Sequence, residues 1–494
     1  MTAFFFYDLE TSGFSPRYDR AMQFAGQRTD MDLKPIGEPV NVLIKLTDDI
    51  LPSPSALLVT GITPQQTKQD GITEAEFAKL LNDDVFDPGT ITVGFNNVRF
   101  DDEFIRHILW RTFYDPYEWA YADNRSRWDL LDVTRLVRAL RPDGINWPFV
   151  EKPATRHSEL VSESDPKILK QIQDDKLVKV PTNKLELLTK ANNIQHENAH
   201  DALADVNGLI DFAKLIKAKQ PKMWDYLLKL RDKKAIAKLV NLDDPQPFVY
   251  ASGRLSGEFE KTSVGFPIAP GNKPGSVLVY DLRYSPADFA KLSQQDILKS
   301  LTASYEERQA EDYVSIPVKE LQYNRCPAVA PLNVLDETSQ KRLDLNLDKI
   351  SHNVADLEKN RDLVDKIVAA WNGRPEFSPA KDVEGQLYDS FTPDADKPRL
   401  AEIRKLDAQG LADFHPNFVD ERLPELLFRY KARNYPKSLS SDEKAKWESY
   451  RTNKLQRELP KYMERLTELA AQTTDDNQTF ILEEIQLWVE SICQ

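Results

Sequence analysis

The run FFFYDLETSG, from Phe4 to Gly13, constrains this chain more than any other segment. Phe4, Phe5, Phe6 and Tyr7 are aromatic on both faces of an extended segment, which suits a central strand covered on both sides. Side chains alternate along a strand, so Asp8 and Glu10 point the same way while Leu9 turns into the sheet. Two carboxylates so placed repel each other and lose hydration, which costs several kcal/mol unless positive charge stands between them. A divalent metal ion would supply that charge. The competing reading ends the strand at Tyr7 and leaves both acids solvated in a loop. Further acids are needed to separate the two.

Two other clusters supply them. In GFNNVRFDDEFIRHI, a short strand over 91–95 runs into Asn96 and Asn97, and the spacing of Phe104, Ile105, Ile108 and Leu109 predicts a helix starting near Asp101 or Asp102. Acids at that point also have an ordinary explanation, since a helix N-terminus favours negative charge. In HENAHDALADVNGLIDFAKLI, Leu203, Val206, Ile210 and Ala213 mark the inward face of a second helix, which Asp201 is placed to cap. His200 in the entering loop and Asp205 one turn into the helix are five residues apart and can converge on one cleft.

A chain of 494 residues has room for about three domains. Residues 1–220 alternate strand-like and helix-like runs, such as FFFYDLE, NVLIKL and TITVGF, the pattern of an α/β domain. Over 221–350 the segments PFVYASGR, SVGFPIAP, GSVLVYDL and VSIPVKEL are short strand candidates divided by Pro and Gly, which predicts a small β-rich, barrel-like domain. Residues 351–494 read as helical. No apolar run approaches the roughly 18 residues of a membrane span and no cationic leader precedes the aromatic run, so a cytoplasmic protein is expected. Cys326 and Cys493 fit no metal-ligand spacing and are expected to be reduced and structural.

The net charge of −14 argues against bulk attraction to nucleic acid or anionic lipid, but screening over about 8–10 Å lets local patches decide contact. Two patches interleave cations with aromatics, as single-strand binding requires. Arg106, Tyr117, Trp119, Tyr121, Arg135 and Arg141 form one; Phe428 to Lys437, FRYKARNYPK, forms the other, with four cations and three aromatics. Both have a structural alternative, in which the aromatics are core and the cations solvated.

The ordered set Asp8-x-Glu10, Asp101, and His200 with Asp205 resembles the DEDD exonucleases, histidine subgroup. The stretches LVTGITPQQ, GFNNVRFDDE, FYDPYEW, SRWDLLDV, LRPDGINWP, LTKAN, AHDALAD, NRCPAVAPLN and LLFRYKARNYP extend the likeness to the bacterial exonuclease I family over nearly the whole chain. The resemblance implies an RNase H-like α/β exonuclease domain, an SH3-like β-rich domain and a helical C-terminal domain. It also implies a monomer that digests single-stranded DNA from the 3′ end to 5′-mononucleotides, in DNA repair and recombination. An exoribonuclease or proofreading exonuclease of the same fold is the alternative, disfavoured because such proteins are usually shorter and lack the two downstream domains. A non-catalytic adaptor would have lost one of the five site residues.

On this resemblance Asp8, Glu10 and Asp205 coordinate two Mg²⁺ ions, with Mn²⁺ able to substitute. Asp101 completes the cluster directly or through water, and His200 is the general base. Glu10, Arg106, Tyr117, Tyr121, Arg135, Arg141 and Lys184 are the expected substrate contacts. Lys184 stands where the family leads one to expect an arginine, and it follows a charged segment, between Trp147 and Leu185, longer than expected. The resemblance further implies binding of the acidic C-terminal tail of single-stranded DNA-binding protein, with Arg141, Tyr226 and Arg325 as the expected dock.

Overall fold

A computed structural model describes residues 2–153, 177–195, 201–310, 313–376 and 378–493. Most of the charged segment after Trp147, and His200, lie outside them. The chain forms two compact units: the first comprises Met1–Arg127, His196–Ile210 and Ser378–Gln494, the second Trp128–Gln195 and Asp211–Phe377.

The first unit is built on a mixed sheet. Its strands β1 (Ala3–Thr11), β2 (Ala21–Thr29), β3 (Val40–Leu43), β4 (Thr90–Gly94) and β5 (Ser126–Asp129) lie in the order β3-β2-β1-β4-β5, and the chain leaves the unit along β5. Strand β1 is central, antiparallel to β2 and parallel to β4. Phe4, Phe5, Phe6 and Tyr7 are all buried, as four aromatics covered on both faces should be. The strand does not end at Tyr7. It continues to Thr11, so Asp8 and Glu10 are strand residues, and a register irregularity falls between Glu10 and Thr11. Such bulges re-aim side chains beside functional sites.

Phe5, Tyr7 and Phe24 pack with Phe77, Phe104, Ile105 and Ile108 in one core cluster. Each fully buried side chain of this kind contributes about 1.5–3 kcal/mol over an exposed one. The sequence reading did not single out β2, because Gln23 and Gln27 interrupt its apolar pattern. Gly26 is required there: a Cβ would stand 2.3 Å from the Phe5 ring.

The C-terminal helices Leu423–Asn434, Ser441–Gln472 and Asp476–Cys493 close the same unit. Met22 and Leu57 pack with Leu466 and Ile481, and Leu46 and Ile50 with Leu455 and Trp488. The segment FRYKARNYPK is not a surface for nucleic acid. Phe428, Arg429, Tyr430 and Lys431 are buried, and three of the four cations are paired internally, while Lys437 is exposed. Arg429 pairs with Asp382 at 2.7 Å, Lys431 with Glu443 at 2.7 Å, and Arg433 with Asp49 at 2.7 Å and with Glu384. Arg20 joins the same Glu384.

In the second unit, β6 (Phe149–Pro153) and β7 (Leu177–Pro181) form an antiparallel pair. The expected β-rich segment is a five-stranded antiparallel sheet: β8 (Phe248–Ala251), β9 (Thr262–Pro270), β10 (Ser276–Asp281), β11 (Val318–Gln322) and β12 (Val329–Pro331), in the order β11-β10-β9-β8-β12. The helices Leu347–Lys359 and Arg361–Asn372 belong to this unit, and the chain returns to the first unit at Ser378. Cys326 is buried and Cys493 exposed, so the latter is not the structural residue expected. Among the described residues no helix is long and apolar enough to cross a membrane.

Candidate active site

Three elements of the first unit carry the acids. The end of β1 brings Asp8 and Glu10, the helix Asp101–Arg111 opens on Asp101, and the helix Ala202–Lys219 brings Asp205 on its first turn. Carboxylate oxygens of Asp8, Glu10 and Asp205 lie within 4.8 Å of one another. Asp101 is buried, and its charge acts on both Asp8 and Glu10.

The sequence left Asp101 and Asp102 both at the helix start; their surroundings separate them. Asp102 is fully buried, accepts hydrogen bonds from Tyr7 and, at 3.3 Å, Asn97, and pairs with Arg127. It is neutralised in the core, while Asp101 acts on the cluster. Asp201 is the cap expected of it: its Oδ1 accepts from the backbone N–H groups of Leu203 at 3.1 Å and Ala204 at 3.2 Å. Gln23 was missed. It sits opposite Glu10 in the β1–β2 register, donates to Asp201 at 3.3 Å and accepts from the Ala202 N–H at 3.3 Å, so it ties the sheet to the helix that carries Asp205. The available signal was an amide among the apolar residues that open β2.

Burial, and then the charges of Asp101, Glu10 and Asp205, push the Asp8 carboxyl well above the usual range. Burial, followed by Asp205, Asp101 and Asp201, pushes Glu10 up to about 8. Every charged neighbour in these two balances is another carboxylate. Acids crowded so closely call for a cation, and an all-oxygen donor set suits a hard divalent ion such as Mg²⁺. The residues therefore fit a divalent metal.

Beside the acids, on the helix Asp101–Arg111, Arg106 pairs with Glu103 at 2.9 Å and lies 5.7 Å over the Tyr117 ring. Tyr121 is 65% exposed, whereas Trp119 is core, stacked on Phe86. Two aromatics not singled out in the sequence join Tyr117: Tyr388 with its ring 6.4 Å away, and Phe391, 84% exposed, at 6.0 Å. They come from a segment just over 270 residues later, which no local pattern links to Tyr117.

Arg135, Arg141, Lys184, Tyr226 and Arg325 belong to the second unit. Arg135 pairs with Asp132 at 2.7 Å, and Lys184 is largely exposed, 3.9 Å from Glu186. Arg141 donates to the carbonyl of Val334 at 3.0 Å and lies 3.4 Å from Asp336; Tyr226 donates to the carbonyl of Val329 at 3.2 Å. Arg325 ends the one-turn helix Tyr323–Arg325. All three expected tail contacts thus attach to the stretch 325–336.

A sheet and two helices gather acids around a point that fits a divalent metal, the arrangement of a metal-dependent nuclease, and models of known exonuclease families match along nearly the whole chain. An exonuclease model matches residues 5–213, the exonuclease I SH3-like domain residues 231–373, and the exonuclease I C-terminal domain residues 381–492. The chain belongs to the exonuclease I family. It is 37% identical to exodeoxyribonuclease I of Haemophilus influenzae over 97% of this chain and 96% of that one, and 37% identical to that of Escherichia coli over the same shares. The crystal structure of E. coli exonuclease I with a dA16 oligonucleotide matches with a TM-score of 0.90 at 36% identity, covering 100% of both chains. A zinc-bound E. coli complex with single-stranded DNA matches with a TM-score of 0.90 at 35% identity.

Proposed function

We propose that this chain removes nucleotides one at a time from the 3′ end of single-stranded DNA, releasing 5′-mononucleotides, as a cytoplasmic monomer acting in DNA repair and recombination. The observation that carries this reading is the carboxylate cluster of Asp8, Glu10 and Asp205, on a chain that matches exodeoxyribonucleases along its length. Asp8, Glu10 and Asp205 would hold two Mg²⁺ ions, or Mn²⁺, with Asp101 completing the cluster. When bound, such ions supply Lewis acidity to the scissile phosphate and lower the pKa of water. Arg106 and the aromatic group of Tyr117 and Tyr121 bind phosphate and stack bases, with Arg135, Arg141 and Lys184 as further cationic contacts. Release of mononucleotides from 3′-labelled and 5′-labelled single-stranded DNA and RNA, with Mg²⁺ and with EDTA, tests the reading. Label release that ignores polarity, or persists in EDTA, overturns it.

In this mechanism His200 takes the proton from the attacking water. It adjoins Asp201, whose charge reaches Glu10, and an imidazole with an ordinary pKa of about 6.5 is suited to the task. His200→Ala is expected to lower turnover by roughly 10²- to 10⁴-fold and to alter the acidic limb of the pH–rate profile. An unchanged rate and an unchanged acidic limb remove His200 from the mechanism.

The same reading includes docking of the acidic C-terminal tail of single-stranded DNA-binding protein on Arg141, Tyr226 and Arg325. An arginine fork grips a terminal carboxylate while a tyrosine packs the apolar end of the peptide. Arg325→Ala is expected to weaken tail-peptide binding at least tenfold and to leave digestion of naked DNA near the parental rate. Fluorescence anisotropy at two salt concentrations reads the affinity; binding indifferent to both salt and substitution excludes this dock.

A further inference from the structure

Within the second unit a cavity of about 200 Å³ opens beside the five-stranded sheet, and its wall holds Arg254, Arg283, Arg308, Lys319 and Arg374. Asp281 is the one carboxylate among the described lining residues. This runs against the composition: the whole chain carries a charge of −14. In such a protein, five cations around one small cavity are a local field of opposite sign.

Asp281 offsets only part of that field, through the charge of Arg283. It is buried, accepts hydrogen bonds from Ser263, from the Tyr250 hydroxyl at 3.3 Å and from the Arg283 backbone N–H at 3.1 Å, and burial raises its pKa. The side chains of Arg283, Arg308 and Arg374 donate to backbone carbonyls, and the charges of Asp281 and Asp344 also act on Arg283. Arg283 donates to the carbonyls of Leu343, Asp344 and Thr262 and lies 3.6 Å over the Phe259 ring. Arg374 donates through Nε to the carbonyl of Trp371 at 3.0 Å, with its guanidinium 3.6 Å over that indole. Arg308 donates to the carbonyl of Ala303 at 3.0 Å. Burial depresses the Arg374 guanidinium, the charge of Glu320 opposes that, and the smaller effect of Arg254 depresses it again, so the two arginines repel each other.

Guanidinium groups pre-oriented by carbonyls and rings, as those of Arg283, Arg308 and Arg374 are, are suited to bidentate binding of a phosphoryl group. The size of the cavity restricts the ligand, since drug-sized ligands occupy about 300–1,000 Å³. We infer that this cavity is a binding site for a small phosphorylated ligand, of the class of a free mononucleotide or inorganic phosphate, separate from the carboxylate cluster of the first unit. Arg254 and Arg374 grip the phosphoryl oxygens, and Lys319 adds charge. The inference rests on this cavity alone and does not require the reaction proposed above.

Isothermal titration of the full-length protein in EDTA, with dAMP, deoxyadenosine and inorganic phosphate as separate probes, tests it. Binding of dAMP or phosphate is expected, with no response to deoxyadenosine. The double variant Arg254→Ala/Arg374→Ala should weaken that binding at least tenfold, while Arg254→Lys/Arg374→Lys keeps part of it. Tighter binding of dAMP than of phosphate assigns the nucleotide; equal binding assigns the phosphoryl group alone. No binding of either probe at millimolar concentration overturns the inference, as does binding unaffected by the alanine pair. A single-stranded oligonucleotide whose affinity falls in parallel in the alanine pair also overturns it, by placing these arginines on a strand path. Digestion of single-stranded DNA by the parent protein is measured alongside, so failure of the cavity and failure of the nuclease reading are told apart.

Discussion

Asp8→Asn is expected to reduce cleavage to background while making the metal-free protein more stable at neutral and alkaline pH. The two effects have one cause. Asp8 and Glu10 have carboxyl groups raised above their ordinary values, Glu10 to about 8, because burial and three neighbouring acids disfavour their ionised forms. A group whose folded pKa is raised stabilises the fold below its unfolded pKa, near 4.5 for a glutamate, and that stabilisation is lost as pH climbs through the folded value. Without metal, the parent should therefore melt at progressively lower temperature from about pH 5 to about pH 8. Divalent metal should reverse the loss, adding about 2.7 kcal/mol at 100 times its dissociation constant. In the asparagine variant one charge is gone, so the pH dependence flattens, the stabilisation by Mg²⁺ shrinks, and the cluster no longer holds its metal. Calorimetric melting in EDTA and in Mg²⁺ across pH 5–9, together with single-turnover digestion, measures both. A metal-free parent with a pH-independent melt, or a variant that still digests DNA, would falsify the assignment of the cluster.

Glu384→Gln should be the most destabilising single change outside the apolar core. Burial pushes the Glu384 carboxyl up, but Arg433, Arg20, Arg111 and Arg429 outweigh it and hold the group far below the usual carboxylate range. Its oxygens bind Arg20 at 2.5 Å and Arg433, with Arg429 at 3.6 Å. Replacing one partner of a buried ion pair leaves the others uncompensated and costs about 3–5 kcal/mol. Because a lowered pKa stabilises above the unfolded value and fails only as pH falls through the folded one, the parent network should persist into strong acid. Urea unfolding of parent and variant at pH 7 reads the difference. A loss below about 1 kcal/mol would show that the arginines find other partners.

The sequence disclosed the acids and hid their surroundings. Asp8 and Glu10 were legible because a strand period and an apolar aromatic run place them together, and Asp205 because the helix period around it is clean. Asp101 could not be told from Asp102 by position, since the distinction depends on Arg127 and Tyr7 reaching one of them. Position also hid Gln23, whose partners are 178 and 179 residues away. FRYKARNYPK stayed open between two readings for the same reason. A run of cations looks solvated until Asp49 and Glu384, distant in sequence, are seen to meet it.

That pairing also has a consequence for synthesis on the ribosome. Asp49 and Arg20 lie among the first 127 residues of their unit, and their partners come only after residue 377. At about 5–20 residues per second, the roughly 250 intervening residues take on the order of 10–50 s to make. Throughout that interval Asp49 lacks Arg433 and Lys454, Arg20 lacks Glu384, and Met22, Leu46 and Leu57 lack the helices that cover them. The nascent first segment must therefore wait unfinished, with apolar surface open to chaperones, until the last quarter of the chain emerges to complete it.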